Sequence, residues 1–154
     1  MRLRITRLRE DVLLPTYATT GSVAFDLAPA DDVTVPAQSV ASVGTGLVIA
    51  TPLGHALLLF PRSSLFKKKG LRLMNTVGVI DQDFCGPEDE LFLAFWNPTD
   101  ADVTVMRAER VAQAMIVPIM RAEWDEGEAT HPSRGGGGST GGYQASVHSP
   151  TMPP

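Results

Sequence analysis

Five prolines limit what this chain can fold into. Pro36, Pro52, Pro61, Pro98 and Pro118 fall among its apolar runs. Each lacks a backbone donor and clashes with a preceding helical turn, so no long helix passes through them. The apolar runs are short. Residues 39–51 are rich in Val, Ala and Thr, with Gly44 and Gly46 inside. Residues 55–60 end at Pro61, and residues 91–96 end at Asn97-Pro98. Residues 102–106 alternate polar and apolar, and residues 112–120 are apolar apart from Gln113. Residues 1–8 also alternate, which reads as a strand rather than a signal peptide. Short runs divided by Gly, Pro, Asn and Asp are the pattern of an all-β sandwich or barrel.

One segment suits a helix. Residues 63–70 begin with a good N-cap type, Ser, and end in three Lys and a Gly, as one or two turns with a C-cap would. From Asp125 the composition changes: residues 125–154 are rich in Gly, Ser, Thr and Pro and cannot bury a core of their own. The expected organisation is a β domain over 1–124 and a flexible, Gly-rich C-terminal arm over 125–154.

Composition excludes several classes. At 154 residues the chain suits one core, and 44% hydrophobic with 19% charged residues describes a globular protein. A net charge of −4 supplies no basic excess for a nucleic-acid polymer. No apolar run is long enough to span a bilayer. The lone cysteine, Cys85, rules out an internal disulfide and a cysteine-rich zinc site. It suits a reducing cytoplasm, as a buried structural thiol rather than a catalytic one.

Four stretches combine residues that carry chemistry. In Pro61-Arg62-Ser63-Ser64-Leu65 a guanidinium, two hydroxyls and free backbone N–H groups suit phosphate oxygens. Alone, however, the stretch reads better as a capped surface helix with a solvated Arg. The stretch from Asn75 to Phe84 has two apolar runs about a small turn, then Asp81, Asp83 and an aromatic. A hairpin there would offer backbone groups to a base edge, and Asp81 could be held as a general base; a plain turn with solvated Asp residues stands level with that. Glu109-Arg110 reads as a surface pair of little energetic worth, and Gln113 needs a partner if buried. Residues 133–142, with Arg134, Ser139 and Thr140 about a run of Gly, have the composition of a linker. They could instead wrap a phosphate chain with backbone N–H groups. They are no P-loop, since no Gly-Lys-Ser/Thr follows a strand.

The order of these stretches says more than any one of them. Ala24-Phe25-Asp26-Leu27, Pro61 to Leu65, Asn75 to Gly86, Glu109 to Gln113, and Arg134-Gly135 with Ser139-Thr140-Gly141 resemble, in sequence, the five motifs of the trimeric deoxyuridine triphosphatase (dUTPase) family. The resemblance runs over roughly residues 3–142. It implies a jelly-roll-like β-clip barrel, a homotrimer whose active sites are shared between subunits, and hydrolysis of dUTP to dUMP and pyrophosphate. It also implies roles. Asn75 and the backbone of Val79, Ile80 and Asp81 hold uracil. Asp81 orients the attacking water. Phe84 stands where a Tyr usually packs on deoxyribose. Arg62, Ser63, Ser64 and Gln113 meet phosphates, and Arg134 closes the tail over the γ-phosphate with Ser139 and Thr140. Asp26 supports Arg62, and Arg110 stands behind the contacting groups. Mg²⁺ is expected on the triphosphate and water, with no direct protein ligand.

The chain departs from the family in its fifth motif. Only Gly136, Gly137 and Gly138 stand where five residues including a Phe are usual, and Tyr143 is the candidate for the missing stacking. Pro87-Glu88-Asp89-Glu90 is longer and more acidic than usual and reads as a bulged turn at the hairpin exit or a trimer contact. The rival enzyme is dCTP deaminase, alone or bifunctional with dUTPase, which shares fold and trimer. That family places a Glu where this chain has Ala94, so the proton shuttle is missing. A reading of another class is a nucleotide-binding regulatory module.

Overall fold

The computed structural model describes residues 1–133 and 135. Met1–Arg121 form one compact unit, and the chain from Ala122 on falls outside it. In that unit the strands are, in chain order, β1 (Arg4–Arg7), β2 (Phe25–Leu27), β3 (Val33–Val35), β4 (Ser39–Gly44), β5 (Leu47–Ala50), β6 (His55–Pro61), β7 (Arg72–Leu73), β8 (Gly78–Ile80), β9 (Phe92–Asn97), β10 (Val103–Val105) and β11 (Ala112–Pro118). A single short helix, α1 (Leu65–Lys69), stands between β6 and β7. All pairings are antiparallel. They give two ribbons, β1-β5 and β10-β3, a four-stranded sheet β2-β11-β6-β8 and a three-stranded sheet β4-β9-β7. Residues 122–133 are exposed and carry no regular element.

Alternation decides which side of each strand is buried. In β9, Leu93, Phe95 and Asn97 have no exposed surface, while Phe92 and Trp96 face out. In the four-stranded sheet Leu57, Leu59, Ala112 and Ala114 point into the core. Asn97 is a buried polar group and is satisfied accordingly. Its Nδ2 donates to the carbonyls of Val35 (3.0 Å) and Ala101 (2.8 Å), and its Oδ1 accepts from the Thr99 amide (3.0 Å). At the surface Arg9 forks onto Asp31 (2.9 and 3.0 Å), and that hydrogen bonding holds the Asp31 carboxyl below its ordinary range.

Two local expectations change, and three further strands are too short to have given one. Residues 39–51 form two strands in different sheets, because Gly46 adopts φ +68° and turns the chain between β4 and β5. A Cβ at Gly46 would overlap Val12 Cγ2 and stand 3.3 Å from Ala30 Cβ. Gly46→Ala is therefore expected to destabilise by about 2–4 kcal/mol, combining left-handed backbone strain with overpacking. Calorimetry at fixed protein concentration reads this as a lowered Tm; an unchanged Tm would mean that the turn relaxes freely. Next, α1 ends as expected, Gly70 at φ 71° donating to the Phe66 carbonyl (2.8 Å). Its start differs, because Ser64 lies in the right-handed helical region and makes no side-chain cap. Last, β2, β3 and β7 span two or three residues each, too short for a run to display a period. Among the described residues no helix is long and apolar enough to cross a membrane.

Candidate active site

The first group of candidate residues assembles where β2, β11 and β6 lie side by side. The register sets Asp26 opposite Gln113, and Gln113 opposite Phe60. Asp26 is 8% exposed. Its Oδ1 takes Arg62 Nε at 3.0 Å and its Oδ2 takes Arg110 Nη1 at 3.1 Å. One buried carboxylate thus holds two guanidiniums, and the trio retains one positive charge. Such a carboxylate is costly to strip of partners. Arg62 is pinned further: its amide donates to the Val111 carbonyl (3.0 Å) and its Nη1 to the Arg110 carbonyl (3.3 Å). Gln113, half-buried, donates to the Pro61 carbonyl at 3.2 Å. Ser63 is exposed and Ser64 half-buried beside them. The combination can grip an anion between fixed, outward-facing donors.

Glu109 and Arg110 do not pair with each other. Glu109 Oε2 takes Lys69 Nζ at 2.8 Å, and Arg110 turns to Asp26. Adjacent residues in a turn point apart, so neighbours in sequence meet partners from other elements. Lys69, which also donates to the Thr104 carbonyl (2.8 Å), carried no sequence signal beyond standing last among three lysines.

The second group lies around β8. This strand is the edge of its sheet and pairs only with β6, so its outer backbone groups meet no strand among the described residues. Asn75, Val79, Asp81, Asp83 and Phe84 are exposed, and Ile80 packs against the core. Gly78 permits close packing here: a Cβ would stand 3.2 Å from Leu59 Cβ and 3.4 Å from Asn75 Nδ2. Asp81 and Asp83 open into a groove of about 600 Å³ that His55, Ile119 and Arg121 also line.

The expected hairpin is not a two-stranded ladder. β7 pairs with β9 and β8 with β6, so residues 74–77 cross between sheets, with Thr76 at φ 54°. Cys85 is exposed rather than buried, because it follows β8 in a turn where its thiol meets only the Gln82 carbonyl at 3.5 Å. Residues 87–90 form a turn closed by Asp89, which accepts the Gly86 amide at 2.6 Å, and Glu90 reaches back to the Gly46 amide at 2.6 Å.

The two groups do not meet within one chain. Ile80 is opposite Leu57, and Arg62 follows five residues later, just past the end of β6. At about 3.3 Å per residue that is roughly 17 Å, with Asp81 one step beyond. Arg134, Ser139, Thr140 and Tyr143 lie outside the described residues.

The chain matches the family model described as dUTPase over residues 10–141. The deoxyuridine 5'-triphosphate nucleotidohydrolase of Hydrogenobaculum sp. (strain Y04AAS1) is 40% identical over 146 residues, covering 92% of this chain and 99% of that protein. A solved dUTPase from Streptococcus mutans is 33% identical with a TM-score of 0.73, over 79% of this chain and 98% of that one. The Staphylococcus bacteriophage 80alpha dUTPase with dUPNHPP, 23% identical, shares the fold at a TM-score of 0.80 over 91% and 98%.

Proposed function

The chain belongs to the dUTPase family and hydrolyses dUTP to dUMP and pyrophosphate, and from that premise we propose that Asp81 is the general base and that the active site is shared between the copies of a homotrimer. The observation that carries this reading is the open edge of β8, which ends at Ile80 and so sets Asp81 one residue past its end. Uracil pairs with the outward-facing backbone groups between Val79 and Asp81 and with the Asn75 amide. Its deoxyribose lies over Phe84. The α-phosphorus then comes within reach of a water held by Asp81. Asp81 takes the proton, the water oxygen attacks in line, and the bond to the bridging oxygen breaks so that pyrophosphate leaves.

Arg62, Ser63, Ser64 and Gln113 of a neighbouring copy receive the phosphates, and their fixed donors stabilise the charge that grows on the leaving group. Asp26 and Arg110 hold Arg62 in place. Arg134, Ser139 and Thr140, whose phosphate roles the resemblance implies, lie outside the described residues. Among the described residues no three His, Cys, Asp or Glu side chains gather as a metal cage. Mg²⁺ brought in with the triphosphate would supply charge neutralisation, beside the phosphate contacts of Arg62, Ser63, Ser64 and Gln113.

Self-association is supported by two features. The separation along β6 is too long for Asp81 and Arg62 of one chain to act on one α-phosphorus. The outward face of the β4-β9-β7 sheet also carries exposed Val40, Met74, Phe92 and Trp96, a patch that asks for a partner surface. We read the fold as the family's jelly-roll-like β-clip, acting in the cytoplasm, where an exposed thiol such as Cys85 stays reduced.

Hydrolysis in ¹⁸O-labelled water tests the chemistry. Attack on the α-phosphorus is expected to put the label in dUMP and none in pyrophosphate. Label in pyrophosphate would mean attack on the β-phosphorus and would remove Asp81 from the reacting atom.

A further inference from the structure

We propose that Lys68 is a contact for the terminal phosphates, in a pocket formed between α1 and the turn at residues 109–111. The pocket measures about 260 Å³, and Arg62, Ser64, Lys68, Lys69 and Arg110 supply its polar lining with Glu109. The charges in it are committed unequally. Arg62 and Arg110 share Asp26. Lys69 is held by Glu109 and the Thr104 carbonyl. Lys68 is exposed and has no ion pair among the described residues.

Four cations thus stand against the two carboxylates of Asp26 and Glu109, a surplus of two positive charges. Half of that surplus belongs to the Arg62–Asp26–Arg110 trio and half to Lys68. Lys68 also follows Ser64 by four residues, and its amide donates to the Ser64 carbonyl at 2.9 Å, so the two side chains share one face of α1. A hydroxyl, two guanidiniums with net charge and an uncommitted ammonium converge on one opening, which is the donor set of a polyphosphate. The inference rests on reading the Arg62 cluster as the phosphate half of the site, and it adds a residue that reaches past the α-phosphate.

The test is calorimetric binding of two probes, dUMP and a non-hydrolysable α,β-imido analogue of dUTP, to the full chain. Lys68→Gln is expected to weaken the analogue about tenfold, the scale of one charge-assisted contact, and to leave dUMP within about twofold. Lys68→Arg is expected to restore the analogue, since it keeps the charge. An equal loss for dUMP would overturn the proposal, because Lys68 would then act at the α-phosphate or through the fold. Arg62→Gln separates the two readings. If it weakens the analogue and Lys68→Gln does not, the Lys68 assignment fails and the phosphate pocket stands. If neither variant weakens it, both readings fail.

Discussion

Exchanging Asp81 for Asn is expected to lower kcat for dUTP by about three orders of magnitude, within the ~10²–10⁴ that a positioned general base contributes. The substitution keeps the shape of the side chain and removes only its ability to take a proton. Asp81 is exposed and makes no ion pair among the described residues, so the fold does not depend on its charge. The loss should therefore fall on kcat, with the affinity for a non-hydrolysable dUTP analogue changed only a few-fold and Tm unchanged. Retention of more than about a tenth of the wild-type kcat would mean that another group activates the water. Asp83 and His55, which open into the same groove, would then be next to test.

How much of this was legible in the sequence depended on what kind of signal each part left. Strands of six or seven residues, such as β4, β6, β9 and β11, show their apolar runs plainly and end at Pro, Gly or Asn. The break between β4 and β5 was hidden, because Gly46 reads equally as a strand glycine or a turn until Val12 is seen packed against it. β2 was visible only through the motif around Asp26, since three residues have no period. Pairings between distant residues were the least legible. Glu109 and Arg110 stand side by side in sequence, and nothing there says that one meets Lys69 and the other Asp26. Cys85 departs from its expected burial for a related reason. Burial is the usual fate of a cysteine, but a turn beyond an edge strand has nothing to bury it. Asp26, Arg62 and Gln113 stand out in the sequence because they lie in ordered motifs, and the fold brings these three together. That Arg62 and Asp81 stand apart in one chain is implied by the family resemblance but by no spacing in the sequence, because distance along β6 exists only once the register with β8 is known.

That distance has a consequence with a large expected effect. Arg62→Gln and Asp81→Asn chains should each be nearly inactive alone, one lacking a phosphate grip and the other a base. Mixed by co-expression or by refolding together, they should regain activity. If every site takes Asp81 from one copy and Arg62 from another, random assembly of equal amounts leaves about one quarter of the sites with both residues intact, as expected for a symmetric oligomer with sites at its subunit interfaces. If one chain supplied both residues, every site in the mixture would carry one defect and no activity would return. Native mass spectrometry of the mixture is the control, since mixed trimers must be present for silence to count. Arg62 is bonded to Asp26, so its replacement could loosen the fold, and matching melting curves for the two variants guard against that. Recovery near a quarter would show that the roughly 20 Å between Arg62 and Asp81 in one chain is bridged by assembly rather than by bending of that chain. No recovery in verified mixed trimers would place both halves of the site within a single subunit, and would require β8 to move along β6 when substrate binds.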